Sequence, residues 1–241
     1  MRYAVLSDVH SNLEAFEAVL ADINRRNIRD VLFLGDAVGY GPDPNECIDL
    51  LTASCGTPIA GNHDWGAIGL MDIAFFNEYA RSAIEWTSGV MTKKNRDVLR
   101  TFPLKVEYED KDALAVHATP KEPGAWHYLF SLLDADTNFE YFNNKLCFLG
   151  HSHKPFIIEK QPSGGLMTYK DNTRIKKRSR YIINAGSVGQ PRDGDPRACY
   201  VLVNGGEVNM IRVPYDIESV QNKMRKAHLP SALIERLSRG R

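Results

Sequence analysis

Five short apolar runs in this chain each lead into a side chain able to hold a metal ion. Tyr3–Leu6 leads to Asp8-Val9-His10, and Val31–Leu34 to Gly35-Asp36. Pro58–Ala60 leads to Gly61-Asn62-His63-Asp64, Ala113–Val116 to His117, and Leu146–Leu149 to Gly150-His151-Ser152-His153. Apolar runs of this length read as buried strands. In open α/β sheets, ligands gather where strands end at their carboxyl edge. The chain must therefore fold so that five strand ends aim at one place, which calls for a mixed α/β architecture. A lone Asp after a strand is usually a helix cap, and a lone His is usually a hydrogen-bonded core or surface residue. Chance supplies one or two such motifs; it is a poor explanation for five in register with the strands.

The intervening segments fit that architecture. Ala15, Phe16, Val19, Leu20 and Ile23 recur at helical spacing, with Ser11 or Asn12 as the N-cap. Pro44 to Leu51 predicts a second helix with Pro44 in its first turn. Residues 65–102 read as a helical insertion, and 105–109 with 113–117 as a hairpin. A short helical patch starts near Leu129 or Asp134. Strands then dominate, at 155–160, 181–184, 199–203 and 208–213, with Gly205-Gly206 turning the last pair. Residues 216–238 predict one or two C-terminal helices broken at Pro230. The basic run Lys176-Lys177-Arg178-Ser179-Arg180 reads as a solvated hairpin turn, with nonspecific phosphate attraction as the sharper alternative. No linker or internal repeat is visible, so the 241 residues are expected to form one domain.

Composition narrows the function classes. Thirty basic residues balance thirty acidic ones, which weighs against an obligate nucleic-acid binder and any dedicated nucleic-acid-binding domain. Cys47, Cys55, Cys147 and Cys199 form no CxxC pair, and Cys147 and Cys199 sit in strand-like runs as small hydrophobes. Met1 runs straight into a strand and no apolar stretch approaches the ~20 residues of a membrane span, so a cytoplasmic location is expected.

Carboxylates and imidazoles in one cluster suit Mn or Fe, with Zn or Ni as alternatives. Asp36 follows Gly35, which lets the backbone turn sharply, and it lies on the second strand beside Asp8 and His10. It is the candidate to bridge two divalent ions, which at ~3.5–4 Å apart can clamp a phosphate and make hydroxide from water at neutral pH. Amides are uncommon ligands, so Asn62 between Gly61 and His63 is hard to explain as packing. With Asp8, His10, Asp36, Asn62, His117, His151 and His153 as the expected ligands, His63 remains to donate a proton to a leaving oxygen. Asp64 is expected to orient that imidazole, with a helix N-cap as its competing role.

These motifs resemble those of the calcineurin-like metallophosphoesterase superfamily: D-x-H, G-D, G-N-H-D, a lone H, then G-H-x-H. Gly35 to Pro42, Asn184 to Arg192 and the Leu229-Pro230 helix look like the small prokaryotic members related to diadenosine tetraphosphatases. The resemblance implies two mixed β-sheets forming a sandwich flanked by helices. It implies one metal held by Asp8, His10, Asp36 and His153, the other by Asp36, Asn62, His117 and His151, and His63 as the general acid. The implied activity is hydrolysis of phosphodiester or phosphoanhydride bonds in a small phosphorylated substrate, a nucleotide among the options. A phosphomonoesterase or protein phosphatase is the alternative within the enzyme class, a nuclease is a third enzymatic option, and a non-catalytic scaffold is the contrasting class. Tyr40, Trp65, Trp126, His127 and Tyr128 are candidates to wall the pocket or stack on a base, and Arg192 or Arg197 to reach a distal phosphate.

Overall fold

The computed structural model describes all residues, 1–241. The order is β1 (Arg2–Leu6), α1 (Leu13–Arg25), β2 (Val31–Phe33), α2 (Pro44–Ser54), α3 (Asn62–Ala67), α4 (Glu78–Val90), α5 (Lys93–Leu99), β3 (Lys105–Tyr108) and β4 (Ala113–Val116). Then follow α6 (Leu132–Asn138), β5 (Leu146–Leu149), β6 (Phe156–Lys160), β7 (Leu166–Tyr169), β8 (Asn172–Arg174), β9 (Arg180–Asn184), β10 (Ala198–Asn204), β11 (Glu207–Val213), α7 (Ile217–Lys226) and α8 (Ser231–Leu237).

The strands form two mixed sheets, ordered β2-β1-β10-β11-β8 and β3-β4-β5-β9-β6-β7. Alternation along β1 explains how they stack. Tyr3 and Val5 point into the core between the sheets, where they meet Phe148, Tyr181 and Ile183. Ala4 and Leu6 point the other way, onto Phe16, Val19 and Ile23 of α1 and Ile48 of α2. A strand covered on both faces reads as an unbroken apolar run, which is what residues 3–6 are. Leu114, Cys147 and Ile182 on the outer face of the second sheet are covered by Ala135 of α6 and by Phe139 and Phe142 just beyond it. The result is the helix-flanked sandwich that the family resemblance implies.

The sheet directions create the site. β1 and β2 are parallel, and so are β4, β5 and β9. Their carboxyl ends lie along one edge of each sheet. Backbone bonds tie each edge and join the two: Asp8 N–H donates to Gly35 O at 3.0 Å along the first edge and Gly150 N–H to His117 O at 2.9 Å along the second, while Gly189 N–H donates to Asp8 O at 2.9 Å across them.

Several expectations need correction. Pro58–Ala60 is extended but is not a strand. Ile59 N–H donates to Phe33 O at 3.2 Å, but Pro58 has no N–H and Ala60 N–H turns away to Pro103 O, so no ladder with β2 develops. Residues 65–102 are helical as expected, but in separate pieces. Gly69 takes φ +74°, Asp72 caps a 3-10 turn, and the Asn77 and Thr92 side chains cap α4 and α5, so three starts break the region. β7 and β8 were not expected; their partly exposed sequences carry little apolar signal. The 176–180 run is not a hairpin turn: it carries the chain from β8 in one sheet to β9 in the other. Nor is it wholly solvated, since Lys176 Nζ lies 2.8 Å from the buried Glu159 carboxylate. Of the two N-cap candidates, Asn12 is the one, accepting from Ala15 N–H at 3.1 Å.

Candidate metal centre at the joined sheet edges

All seven expected ligands, with His63 and Asp64, are buried at this edge. Their ligand atoms form overlapping groups: Asp8, His10 and His153; His10, Asp36 and His63; Asp36, His117 and His151. Asp36 belongs to two of them. Its Oδ2 is 3.6 Å from His10 Nε2 and 3.2 Å from His117 Nε2, while its Oδ1 accepts from His63 N–H at 2.8 Å.

Backbone carbonyls set the histidine tautomers. A carbonyl oxygen only accepts, so the ring nitrogen facing it carries the proton. His10 Nδ1 faces Val38 O at 3.0 Å, His117 Nδ1 faces Leu34 O at 2.7 Å, and His153 Nδ1 faces Gln190 O at 2.7 Å. Their Nε2 lone pairs are therefore directed inward. His151 is reversed: its Nε2 faces Trp126 O at 3.0 Å, leaving Nδ1 as the free lone pair. With these tautomers, the Nε2 lone pairs of His10 and His153 confront each other at 3.0 Å, and His117 Nε2 confronts the Asp36 carboxylate. Such contacts repel unless a cation or an extra proton lies among them. Asp8 Oδ1, Asn62 Oδ1 and His117 Nε2 are also buried without any hydrogen-bond partner. Unsatisfied buried acceptors are costly, and divalent cations bound among them would satisfy them. The residues present thus fit a metal centre.

The electrostatics agree. Burial alone would raise the Asp8 and Asp36 carboxyls, but His153 and His10 beside Asp8, and His117 and His63 beside Asp36, hold both well below the usual carboxylate range. Burial pulls His117 down, yet the Asp36 carboxylate overrides it and lifts the imidazole to about 9. A proton there fills the same electrostatic hole that a cation would. Burial lowers His151 to about 4 and His153 to about 3, leaving both rings neutral and ready to ligate.

Strain is concentrated here. Asp8, His10, Asp36, His151 and His153 all have φ between 51° and 64°, a left-handed region that costs non-glycine residues ~1–3 kcal/mol each. The chain turns back at each position to aim a side chain inward. Close approach explains two of the motif glycines: a Cβ at Gly61 would overlap the Asp36 carboxylate, and one at Gly150 would overlap Ser7 Oγ and Asp8 Oδ2.

Asp64 corrects an expectation. Its carboxylate does not touch the His63 ring. It accepts from the N–H groups of Asp36 (2.9 Å), Gly61 (2.9 Å) and Val38 (3.2 Å), so it caps α3 and ties that helix to the Asp36 loop. Burial and the Asp36 charge push it up to about 7, against those donors. His63 packs its ring 4.4 Å from Tyr40 and 5.0 Å from Phe76, with Nδ1 unpartnered. Burial holds it well below the ordinary histidine range.

Beside the cluster opens a cleft of about 420 Å³. Asn62, His63 and His151 form its polar floor, and Phe75, Phe76, Trp126 and Tyr128 part of its apolar wall. Tyr40, Trp126, Tyr128 and Arg192 line the cleft as expected. Arg197 does not; its guanidinium is held by Asp195 at 2.6 Å. Trp65 packs edge-on against Trp126, and the exposed His127 lies 3.8 Å from Glu122. Phe75, Phe76 and Arg236 also line the cleft and were not expected. Phe75 ends a 3-10 turn, Phe76 follows it and Arg236 lies on α8, and nothing local marks any of them as cleft residues.

A model of the calcineurin-like phosphoesterase superfamily domain matches residues 1–206. The chain belongs to that superfamily. It is a hydrolase of phosphoester bonds, in a superfamily that depends on metal ions. An uncharacterized protein of Methanocaldococcus jannaschii is 41% identical over 242 residues, covering 99% of this chain and 98% of that protein. The crystal structure of a metallophosphoesterase from Sphaerobacter thermophilus superposes with a TM-score of 0.87 at 40% identity, covering 100% of this chain and 99% of the other. That of a hypothetical protein from Pyrococcus horikoshii has a TM-score of 0.81 at 19% identity, covering 100% and 98%, and shares the fold. No helix is long and apolar enough to cross a membrane.

Proposed function

We propose that the chain is a dinuclear metallophosphoesterase that cleaves phosphodiester or phosphoanhydride bonds of a small substrate, with dinucleoside polyphosphates as its class. The observation that carries this is Asp36: one buried carboxylate belongs to two ligand groups whose lone pairs already point at shared space. Asp8, His10, Asp36 and His153 would hold one ion, and Asp36, Asn62, His117 and His151 the other. The ligand chemistry suits Mn or Fe. Bound ions of this kind supply Lewis acidity and a hydroxide nucleophile at neutral pH.

The chain's own residues do the rest. The carbonyls of Val38, Leu34, Gln190 and Trp126 hold the imidazoles in one tautomer and orientation. His63, at the floor of the cleft, protonates the departing oxygen. Its low proton affinity in the bare site is raised by a phosphate anion bound beside it. Asp64 keeps the α3 terminus, and so Asn62 and His63, in place against the Asp36 loop. The apolar wall takes a flat, uncharged part of the substrate, and the resemblance to the diadenosine tetraphosphatase branch supports a nucleobase in that role. The presence of His63 in the cleft beside a full ligand set weighs against a non-catalytic scaffold. We take residues 1–241 as one domain, because α4, α7, α8 and Tyr40 share a cluster of buried side chains. The free cysteines suit a reducing cytoplasm.

A substrate panel tests the reading: a dinucleoside polyphosphate, an aryl phosphodiester, a phosphomonoester and a phosphopeptide, each with Mn²⁺. A kcat/KM highest for the dinucleoside polyphosphate supports it. Comparable values for all four would overturn the substrate class, and absence of metal-dependent turnover would overturn the activity.

A further inference from the structure

The cleft contains a charge imbalance that the metal centre does not explain. Arg192, after β9, and Arg236, on α8, are far apart in sequence but both line it. Arg192 Nη2 donates to Gln190 Oε1 at 2.8 Å, and Arg236 Nη1 donates to the same oxygen at 3.2 Å. Two cations therefore share one neutral acceptor. No acidic side chain pairs with either, whereas Arg197, Arg212 and Arg239 nearby each have a carboxylate partner. Arg192 Nε is buried with no partner at all. Burial and the Arg192 charge both disfavour the Arg236 cation, so holding the two together is uphill in the bare protein.

Their support is rigid. Gln190 is buried, its backbone carbonyl fixes His153, and its N–H donates to Ser187 Oγ at 2.8 Å. The Arg192 N–H donates to His153 O at 3.2 Å. The pair is thus built on the same loop that positions a metal-site histidine. It is offset from the ligands by the Tyr40 ring, whose centroid lies 4.4 Å from that of His63 and 5.5 Å from Arg192 Cζ.

We propose that Arg192 and Arg236, held by Gln190, form a clamp for a second, non-reacting phosphate next to the phosphate at the metal centre. Guanidinium forks match phosphate oxygens bidentately, and two of them more than offset the single negative charge of a linked phosphate. The clamp makes the enzyme a reader of phosphate chains: a substrate with two or more linked phosphates fills both subsites, and a simple diester fills one. Arg236 is then a specificity-determining residue contributed by the C-terminal helix. This rests on the phosphoesterase reading for the first subsite and adds the second.

The test compares wild type with Arg236→Gln and Arg236→Lys. Arg225→Gln, which removes one charge from the exposed surface of α7, serves as the charge control. With Mn²⁺, kcat/KM is measured for a dinucleoside tetraphosphate and for bis(p-nitrophenyl) phosphate. Binding of inorganic tripolyphosphate is measured separately by calorimetry on chelator-treated protein. Arg236→Gln should lower the ratio of the two kcat/KM values at least tenfold, mainly through KM, and weaken tripolyphosphate binding at least tenfold. Arg236→Lys should recover part of both losses, and Arg225→Gln should change neither. An unchanged ratio, or tripolyphosphate binding equal to wild type, overturns the clamp while leaving the phosphoesterase intact. If wild type shows no metal-dependent turnover, the activity reading fails instead, and the calorimetric arm still decides the clamp.

Discussion

Replacing Asp36 with Asn is the most informative single perturbation, because that carboxylate sets the charge state of the ring across from it. Asp36 Oδ2 is 3.2 Å from His117 Nε2, both groups are buried, and His117 is lifted from 6.5 to about 9. A rise of that size corresponds to ~3 kcal/mol of preference for the protonated ring. At pH 7 the metal-free protein therefore carries a proton on His117, and a metal must displace it. The displacement weakens apparent metal binding roughly a hundredfold relative to pH 9 and above. In Asp36→Asn the attraction is gone and burial dominates, so His117 is neutral at pH 7. Chelator-treated protein titrated with Mn²⁺ in buffers of different ionisation enthalpy reads the proton count directly. Wild type should release about one more proton than the variant, and the variant should lose at least one metal equivalent. The pair also leaves a mark on stability. A raised imidazole stabilises the fold fully below pH 6.5 and loses that contribution as pH climbs through 9. Denaturant midpoints of metal-free wild type should thus fall across that window by an amount worth ~3 kcal/mol, and those of Asp36→Asn should not. Equal proton release and parallel pH profiles for the two proteins would refute the electrostatic account of the centre.

Other substitutions separate chemistry from scaffolding. His63→Ala should retain bound metal but lose ~10²–10⁴-fold in kcat on substrates with poor leaving groups, with a smaller loss on an aryl leaving group; uniform loss across leaving groups would remove the proton-donor role. Asp64→Ala strands three buried N–H donors, so it should lower the melting temperature and metal occupancy together, whereas a direct role on His63 would shift the pH–rate profile of the metal-saturated enzyme. Gly150→Ala drives a methyl group into Asp8 and Ser7, and overpacking of that kind costs ~1–3 kcal/mol, read in denaturant melts alongside a loss of metal. Glu159, buried among Tyr169, Ser179 and Lys176, is held below the ordinary glutamate range by those partners against its own burial. Its stabilisation is present above the unfolded carboxyl value and lost on acidification, and Lys176→Met should lower the denaturant midpoint at neutral pH more than at acid pH in equilibrium unfolding curves.

The candidate ligand set was legible in the linear order because every member but Asn62 follows a strand, and strands announce themselves by short-range apolar patterning. Asp8, His10, Asp36, Asn62, His117, His151 and His153 do converge, as a sheet that aligns its carboxyl ends requires. Strand pairing also follows from local pattern where both faces are buried, as in β1, and escapes it where they are not, as in β7 and β8. Pro58 shows the reverse failure: the apolar run was real, but one missing N–H prevented a strand.

What only the folded molecule decided is which atom of each side chain faces the centre, and what else faces it. The His10, His117, His153 and His151 tautomers depend on carbonyls of residues 28, 83, 37 and 25 positions away. Asp64 and Arg197 carried motif-like neighbours, yet hydrogen bonds to backbone N–H groups and to Asp195 claim them. Arg236 carried no signal at all, because a charged residue in a surface helix looks alike whether it meets water or a cleft. Patterning along a chain encodes which face of an element is covered; it does not encode which distant partner covers it. That information exists only once the sheets have stacked and the loops at their joined edge have closed on one another.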